Sequence, residues 1–403
     1  MSMPQVDVSQ HEYLISALAA TTISGAPSPT YIDAIPLEIL QEIFALSVLK
    51  GHWLQPHPPG HLPKFDRSAL MVASVSKTWR SIALSLPELW TTMAVYDPSA
   101  MAIEKVQLYL SRAGDVAPFS LYLTQHRGVG YGGTRDMDEK IEEANNTKEI
   151  INLWFTHVER WGSIYFEFNA DGLPSMLEKA SPEQLRNLRD VGFSTTFQSS
   201  TGFKEFWDNI HTSPNLRSIF CGHTPPPGYL LSAPLNQLTR VTLHSASLTE
   251  LCQVFRGCPL LEHLTILGVT IDTARPTKPI VVQHLQSLHF DDAGLKTLAI
   301  ILEVLTTPSL RDLALYNMPE GMPQGVLKRF LARSQCSLRT LLLRESWHYE
   351  AFGILYMAEL GDNGVGYLDE LEKLSCQCSI NCFISFFYVV GEGLATASLP
   401  HNH

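Results

Sequence analysis

Gly128-x-Gly130-x-x-Gly133 is the first spacing along the chain that chemistry could use. Glycines so spaced let a backbone loop approach a pyrophosphate, provided a strand precedes and a helix follows. An acid about 20 residues on should then hold the ribose. The strand-like PFSLYL does precede, but Thr134 to Asp138 is polar, and the next strand-like segment ends near Glu167, 34 residues beyond Gly133. The glycines therefore read as a flexible surface loop. Cys376-x-Cys378-x-x-x-Cys382 places soft ligands close together, with His401 and His403 further on. Structural zinc needs four ligands, usually as two close pairs, and no second pair is near. Cys376 also falls on a periodic apolar position, which favours buried thiols. No G-x-S-x-G, H-E-x-x-H, P-loop or EF-hand spelling occurs. The fifteen His are scattered, and Asp291–Asp292 sits in an apparent turn. Asn145-Asn146-Thr147 spells a glycosylation sequon, which matters only in a secreted chain. No catalytic, cofactor or metal residues are expected, and the chain reads as a binding protein.

Composition agrees with that reading. The 403 residues are 45% hydrophobic and 17% charged, a globular balance with a formal charge of −11. Nucleic acid needs clustered Lys and Arg to displace counterions, so it is not an expected partner. Seven cysteines is an odd number, and Cys221, Cys252 and Cys258 lie inside periodic apolar segments. They read as buried free thiols of a reducing compartment. The apolar stretch Leu14–Ile23 follows Asp7 and Glu12 with no Lys or Arg, unlike a signal peptide. Phe383–Val390 falls far short of the ~20 residues a membrane span needs. A soluble intracellular protein, cytoplasmic or nuclear, is expected, with no membrane partner.

The elements that position any binding surface show as self-similarity. An apolar-x-x-apolar-x-apolar motif recurs, led by Leu216, Leu238, Leu261, Leu285, Leu310, Leu338 and Leu371. Five of the six spacings fall in the 20–29 residues of a leucine-rich repeat. Weaker copies precede at Leu185/Leu188/Val191, at Trp161/Ile164/Phe166 and at Trp90/Met93/Val95. Between motifs, Leu248/Leu251/Val254/Phe255, Leu295/Leu298/Ile301/Leu302/Leu305 and Val326/Leu327/Phe330/Leu331 have helical spacing. Such a strand–helix unit closes no core alone, so units must stack. The expected fold is α/β, a leucine-rich repeat solenoid with a parallel sheet on its concave side and helices outside. The position three beyond each motif is Ala246, Val269, Ala293 or Met318 rather than Asn, so the repeats are irregular. An ordinary α/β domain with Leu-rich strands is the competing architecture.

The N-terminal part reads differently. Residues 1–30 form a flexible leader ending in the breaker-rich SGAPSPT. Pro36 then opens a helix with Leu37, Leu40, Ile43 and Phe44 on one face. Residues 51–64 contain four Pro and exclude regular structure. A second helix spans Leu70, Val72, Ala73, Val75, Trp79, Ile82 and Ala83, closed by SLPELW. About 60 residues bury little surface alone, so this all-α unit must lean on a neighbour or a partner.

IPLEILQEIF and LMVASVSKTWRSIALSLPELW resemble the F-box, a helical module of about 55 residues here. Ile35, Pro36, Glu38, Ile39, Leu40, Ile43 and Phe44 match its first helix. Val75, Lys77, Trp79, Arg80, Ile82, Leu89 and Trp90 match its end. Ile35 replaces the usual Leu and Ser76 the usual Cys. The long Pro-rich insert and leucine-rich C-terminal region are similar to the expanded F-box families of fungi. The resemblance implies a substrate-recognition subunit of a cullin-RING ubiquitin ligase, without catalysis of its own. It would bind the Skp adaptor, and through it a cullin, with Ile35, Pro36, Leu37, Leu40, Ile43, Phe44 and Trp79 at or bracing the interface. The repeat array would hold an unidentified protein substrate. The alternative is a leucine-rich scaffold outside ubiquitylation, with these helices merely capping the array. The expected organisation is 1–30 leader, 31–90 F-box-like module, 91–378 repeat array and 379–403 tail, the tail an edge strand or poorly packed end.

Overall fold

The computed structural model of the chain describes residues 35–47, 68–96, 98–125, 136–168, 180–195, 201–222, 233–244, 246–270, 278–293, 295–316, 325–344 and 373–377. The leader 1–30, the Pro-rich insert, Gly128, Gly130, Gly133, Leu371, Cys378, Cys382 and the tail 379–403 lie outside them. The chain divides into two units, Met1–Ser47 and Val48–His403. In the first, helix α1 (Leu37–Ser47) starts directly after Pro36. The Pro36 carbonyl accepts the amides of Ile39 and Leu40. A fixed φ and a missing N–H suit proline to this helix start.

The second unit opens with two helices where the sequence pattern suggests one. Helices α2 (Ser68–Ser74) and α3 (Lys77–Leu84) are separated by extended Ser76, whose hydroxyl accepts the Trp79 amide at 3.1 Å. Serine is among the best N-cap residues, so it ends one helix by starting the next. A turn of 3-10 helix, Pro87–Trp90, then leads into strand β1 (Thr92–Val95). Helices α2 and α3 thus belong to the same unit as the sheet.

The rest is mixed α/β, built on one large parallel sheet. After β1 come β2 (Phe119–Thr124), β3 (Trp161–Phe168), β4 (Asp190–Thr195), β5 (Ser218–Cys221) and β6 (Arg240–Leu243). They are followed by β7 (Ala246–Ser247), β8 (His263–Thr270), β9 (Ile280–Val281), β10 (Ser287–Ala293) and β11 (Leu305–Thr306). The last are β12 (Asp312–Tyr316), β13 (Thr340–Arg344) and β14 (Lys373–Gln377). The sheet is 12-stranded and runs β1-β2-β3-β4-β5-β6-β8-β10-β12-β13-β14, with β7 beside β8. It is open, and strands join in chain order. A separate two-stranded sheet pairs β11 with β9. Crossovers contain helices α4 (Ala100–Arg112), α5 (Met137–Phe155), α6 (Thr201–His211), α7 (Leu248–Gly257), α8 (Leu295–Val304) and α9 (Val326–Ser334).

Strand register follows the apolar motif. Val241, Leu264, Leu288, Leu313, Leu341 and Leu374 pair across successive strands, as do Leu243, Ile266, Phe290, Leu315, Leu343 and Cys376. Each lead residue sits two positions before its strand, and Leu216, Leu238, Leu261, Leu285, Leu310 and Leu338 are all buried. The helical spacings between motifs become α7, α8 and α9, with Leu251, Leu298 and Phe330 buried. Helix α7 starts in a full capping box between Ser247 and Glu250.

Just before each strand the ladder has a second regular feature. One carbonyl accepts two consecutive amides of the next strand: Arg217 from Thr239 and Arg240, Thr239 from Glu262 and His263, Glu262 from Gln286 and Ser287. Gln286 and Arg311 do the same for the strands that follow them. This satisfies backbone donors that an abrupt strand start would orphan.

Two early registers differ from the sequence expectation. Val191 pairs with Ile219 and Phe193 with Cys221, so the motif of β4 is led by Leu188, not Leu185. Both leucines are buried, because Leu185 closes the preceding turn through its amide to Ser181 and Pro182. Strand β2 is a further unit, Leu121 and Leu123 pairing with Met93 and Val95. Buried Phe119 pairs with the lead residue Trp161, and a register shift before Ser120 breaks the spacing of the motif.

Candidate functional site

Helix α1 presents a different face from the one its spacing suggested. Leu40 (6% exposed) and Phe44 (1%) are buried, whereas Leu37 (50%) and Ile43 (44%) are exposed. The exposed row continues through Ile39 and Leu46, which occupy i, i+4 and i+7 with Ile43. Of the expected adaptor residues, Pro36, Leu37 and Ile43 are thus open, Ile35 is half-buried, and Leu40 and Phe44 are spent on packing. An apolar stripe wider than one face was the missed signal: Leu37, Ile39, Leu40, Ile43, Phe44 and Leu46 cannot all turn inward. Trp79 lies on α3, half-buried. In that second unit Met71, Val75 and Leu84 are exposed on or beside α2 and α3.

The second surface is the sheet face opposite the leucines. In its N-terminal part Ala94, Tyr122, Tyr165 and Phe220 form a buried cluster, with Tyr96 partly buried against it. Tyr122 and Tyr165 stack with centroids 4.6 Å apart and 4° between planes. Tyr165 reaches Phe220 at 5.1 Å across β4, where Gly192 replaces a side chain. A Cβ on Gly192 would fall on the Tyr165 ring. In the C-terminal part the equivalent positions are Thr242, Thr265, His289, Ala314 and Leu342. His289 meets the Tyr316 ring edge-on at 4.6 Å.

Side-chain clips tie neighbouring units. Asn187 Nδ2 donates to the Glu159 carbonyl at 2.7 Å, Asn215 Nδ2 to Arg186 at 2.8 Å and Gln237 Nε2 to Ser213 at 2.8 Å. Each of these amides immediately precedes a lead leucine. The repeats lack Asn three positions beyond the motif, yet three successive units place an amide before it. Asn-Leu, Asn-Leu and Gln-Leu at 187–188, 215–216 and 237–238 are the legible signal.

Cys221, Cys252, Cys258 and Cys336 are buried and free of disulfides, as expected for the first three. Burial pushes the thiols of Cys221 and Cys258 up to about 12 and that of Cys336 up to about 11. They are protonated at neutral pH and poor nucleophiles. Among the described residues no group of three His, Cys, Asp or Glu is placed to hold a metal ion. No helix among them is long and apolar enough to cross a membrane. No family model matches the chain, and no curated protein aligns with it.

Proposed function

We propose that this chain is a substrate-recognition subunit of a cullin-RING ubiquitin ligase, without catalysis of its own. Its N-terminal helix docks the Skp adaptor, and an irregular leucine-rich repeat solenoid, with the parallel sheet concave and the helices outside, holds a target protein. The observation that supports this most is helix α1: it follows Pro36 directly and leaves Leu37, Ile39, Ile43 and Leu46 exposed. Ile39, Ile43 and Leu46 line one side of the helix and Leu37 opens another, and helix-in-groove burial is a common use for exposed aliphatic side chains of this kind. The parallel sheet, joined in chain order with its apolar ladder in register, supports the receptor half.

Leu40 and Phe44 are buried, and the second reading is a leucine-rich scaffold outside ubiquitylation, in which α1 docks no adaptor. Co-purification with the adaptor separates the two. Buried aliphatic anchors commonly contribute ~2 kcal/mol each, and a charge there adds several kcal/mol of desolvation cost. Leu37→Asp with Ile43→Asp should therefore abolish adaptor capture while circular dichroism and melting stay near wild type. Leu40→Asp should instead damage folding, because that side chain is buried. A wild-type chain that captures no adaptor, or a double variant that captures it undiminished, would hand the assignment to the scaffold reading.

A further inference from the structure

We infer that a row of arginines at the amino-terminal ends of the sheet strands binds an extended anionic peptide. The row is built by backbone bonds. Arg189 donates to Gly162, Arg217 to Arg189, Thr239 to Arg217, then Glu262, Gln286, Arg311 and Arg339 each to the residue before, at 2.7–2.9 Å. Arg189 and Arg217 are therefore immediate neighbours, as are Arg311 and Arg339, and Arg240 extends the first pair. All five arginines are exposed.

These arginines have few partners of their own among the described residues. Among the described residues none of the five forms an ion pair. Arg217 alone makes side-chain hydrogen bonds, to the carbonyls of Pro214 and Leu216 in its own turn. Of the nearby acids, Asp190 accepts the Ser163 hydroxyl at 2.8 Å, and Glu262 and Asp312 act with Arg240 on the imidazole of His263. Like charges on adjacent strands are destabilising, and two such pairs occur here. Arg160 and Arg333 show the contrast, each donating to several carbonyls of a preceding helix end or loop.

The chain carries −11 overall, so an anionic segment is repelled elsewhere and drawn to this edge. From Arg189 to Arg339 the row crosses six strand spacings of about 4.8 Å, roughly 29 Å, which an extended peptide of about nine residues covers. Glu262 and Gln286 interrupt the positive charge at its centre. A ligand with acidic ends and a neutral middle fits this pattern. A nucleic acid strand, charged at every step, places phosphate against Glu262.

The site rests on the reading of the sheet as a receptor and not on adaptor docking. The test uses the full chain and fluorescence anisotropy with a nine-residue peptide, Glu at the first three and last two positions and Ser or Gly between. A permuted peptide with the five Glu in its centre is the comparison, and a phosphoserine-for-Glu version tells phosphate from carboxylate as the source of charge. The end-charged peptide should bind at least about threefold tighter than the permuted one, and weaken as salt rises from about 0.05 to 0.5 M. Arg189→Glu with Arg217→Glu, or Arg311→Glu with Arg339→Glu, should weaken it by about tenfold or more. Arg80→Glu with Arg256→Glu, exposed arginines outside the row, should change it less than about twofold. Arg→Gln pairs, checked by circular dichroism, replace the reversals if those unfold. Equal loss in the control pair, equal binding of the permuted peptide, preference for an oligonucleotide, or no binding of either acidic peptide would overturn the inference. Adaptor capture should be unaffected by the row variants, so loss of adaptor binding in the α1 variants with peptide binding intact removes the ligase reading alone.

Discussion

The two halves of the sheet reach the same topology with different cores. In β6, β8, β10, β12 and β13 the motif pairs are mostly aliphatic, Val241/Leu243, Leu264/Ile266, Leu313/Leu315 and Leu341/Leu343, with Phe290 beside Leu288, and connections are short and nearly uniform. From β1 to β5 the core is aromatic. Trp161, Phe166, Phe193, Phe206 and Trp207 form a run of ring contacts 5.6–5.9 Å between centroids, most near perpendicular. Edge-to-face pairs hold rings at defined angles, whereas leucines adapt to many neighbours. Lead tryptophans add polar anchors that leucines cannot. Trp90 Nε1 donates to the Ala83 carbonyl at 2.9 Å and Trp161 Nε1 to Trp154 at 3.1 Å, each seven residues back. Longer and less even units thus have larger side chains to fill them.

The largest test of that contrast sets Trp161→Ala against Leu313→Ala. Both side chains are fully buried, so both should be strongly destabilising. Removing the indole creates the larger cavity and loses one buried hydrogen bond to the Trp154 carbonyl, which keeps the His157 amide, for ~3–5 kcal/mol, against ~2–5 kcal/mol for the leucine. Denaturant unfolding followed by tryptophan fluorescence and by circular dichroism measures both. Units that contact only sequence neighbours need not unfold in one step. Trp161→Ala should therefore separate the two probes, and coincident transitions in both variants would show the halves to be one cooperative block.

The same contrast sets what the sequence revealed. Aliphatic units were legible because a Leu leads each one and the spacing stays between 22 and 28 from Leu216 to Leu338. Strand β2, strand-like in PFSLYL, did not show as a unit because the register shift after Phe119 breaks the spacing, and β4 was displaced by three because Leu185 and Leu188 both fit the pattern. The α1 face was misread for a related reason. With six apolar residues in eleven, periodicity alone cannot say which stripe turns inward. The arginine row was invisible until strand register put residues more than 20 apart side by side, whereas the amide clips left a signal in the Asn or Gln before three lead leucines.

A smaller effect should separate the halves at their open face. Gly192 is the gap through which Tyr165 and Phe220 meet, and Gly192→Ala forces the Tyr165 ring aside. Overpacking of this kind typically costs 1–3 kcal/mol, about half the core effect. Tyr165→Ala in the same chain makes room for the methyl, so the double variant should lose less than the sum of its parts. Strict additivity, measured as a double-mutant cycle on unfolding midpoints, would show that the ring contacts do not depend on that gap.

The smallest effect is one of pH, and it should fall on the C-terminal half alone. There the open face carries His263 and His289, both held below the ordinary imidazole value of 6.5. For His289 the cause is first its burial, opposed by Asp291 on its own strand. Its paired neighbours Thr265 and Ala314 carry no charge, and among the described residues Nε2 has no hydrogen-bond partner. For His263 burial again leads, followed by Arg240, with Glu262 and Asp312 opposing. Both imidazoles bind protons more weakly folded than unfolded. Stability is therefore full above 6.5 and declines as pH falls through that value towards the folded pKa. The facing N-terminal residues, Tyr122, Tyr165 and Phe220, do not titrate in that range. Hydrogen exchange between about pH 7.5 and 5.5, corrected for intrinsic rates, should show protection falling in β8, β10 and β12 while β2 to β4 hold. His289→Gln should remove part of that fall, because its side chain takes up no proton in the unfolded chain. Equal loss of protection in both halves, or no change in the variant, would place the acid sensitivity elsewhere.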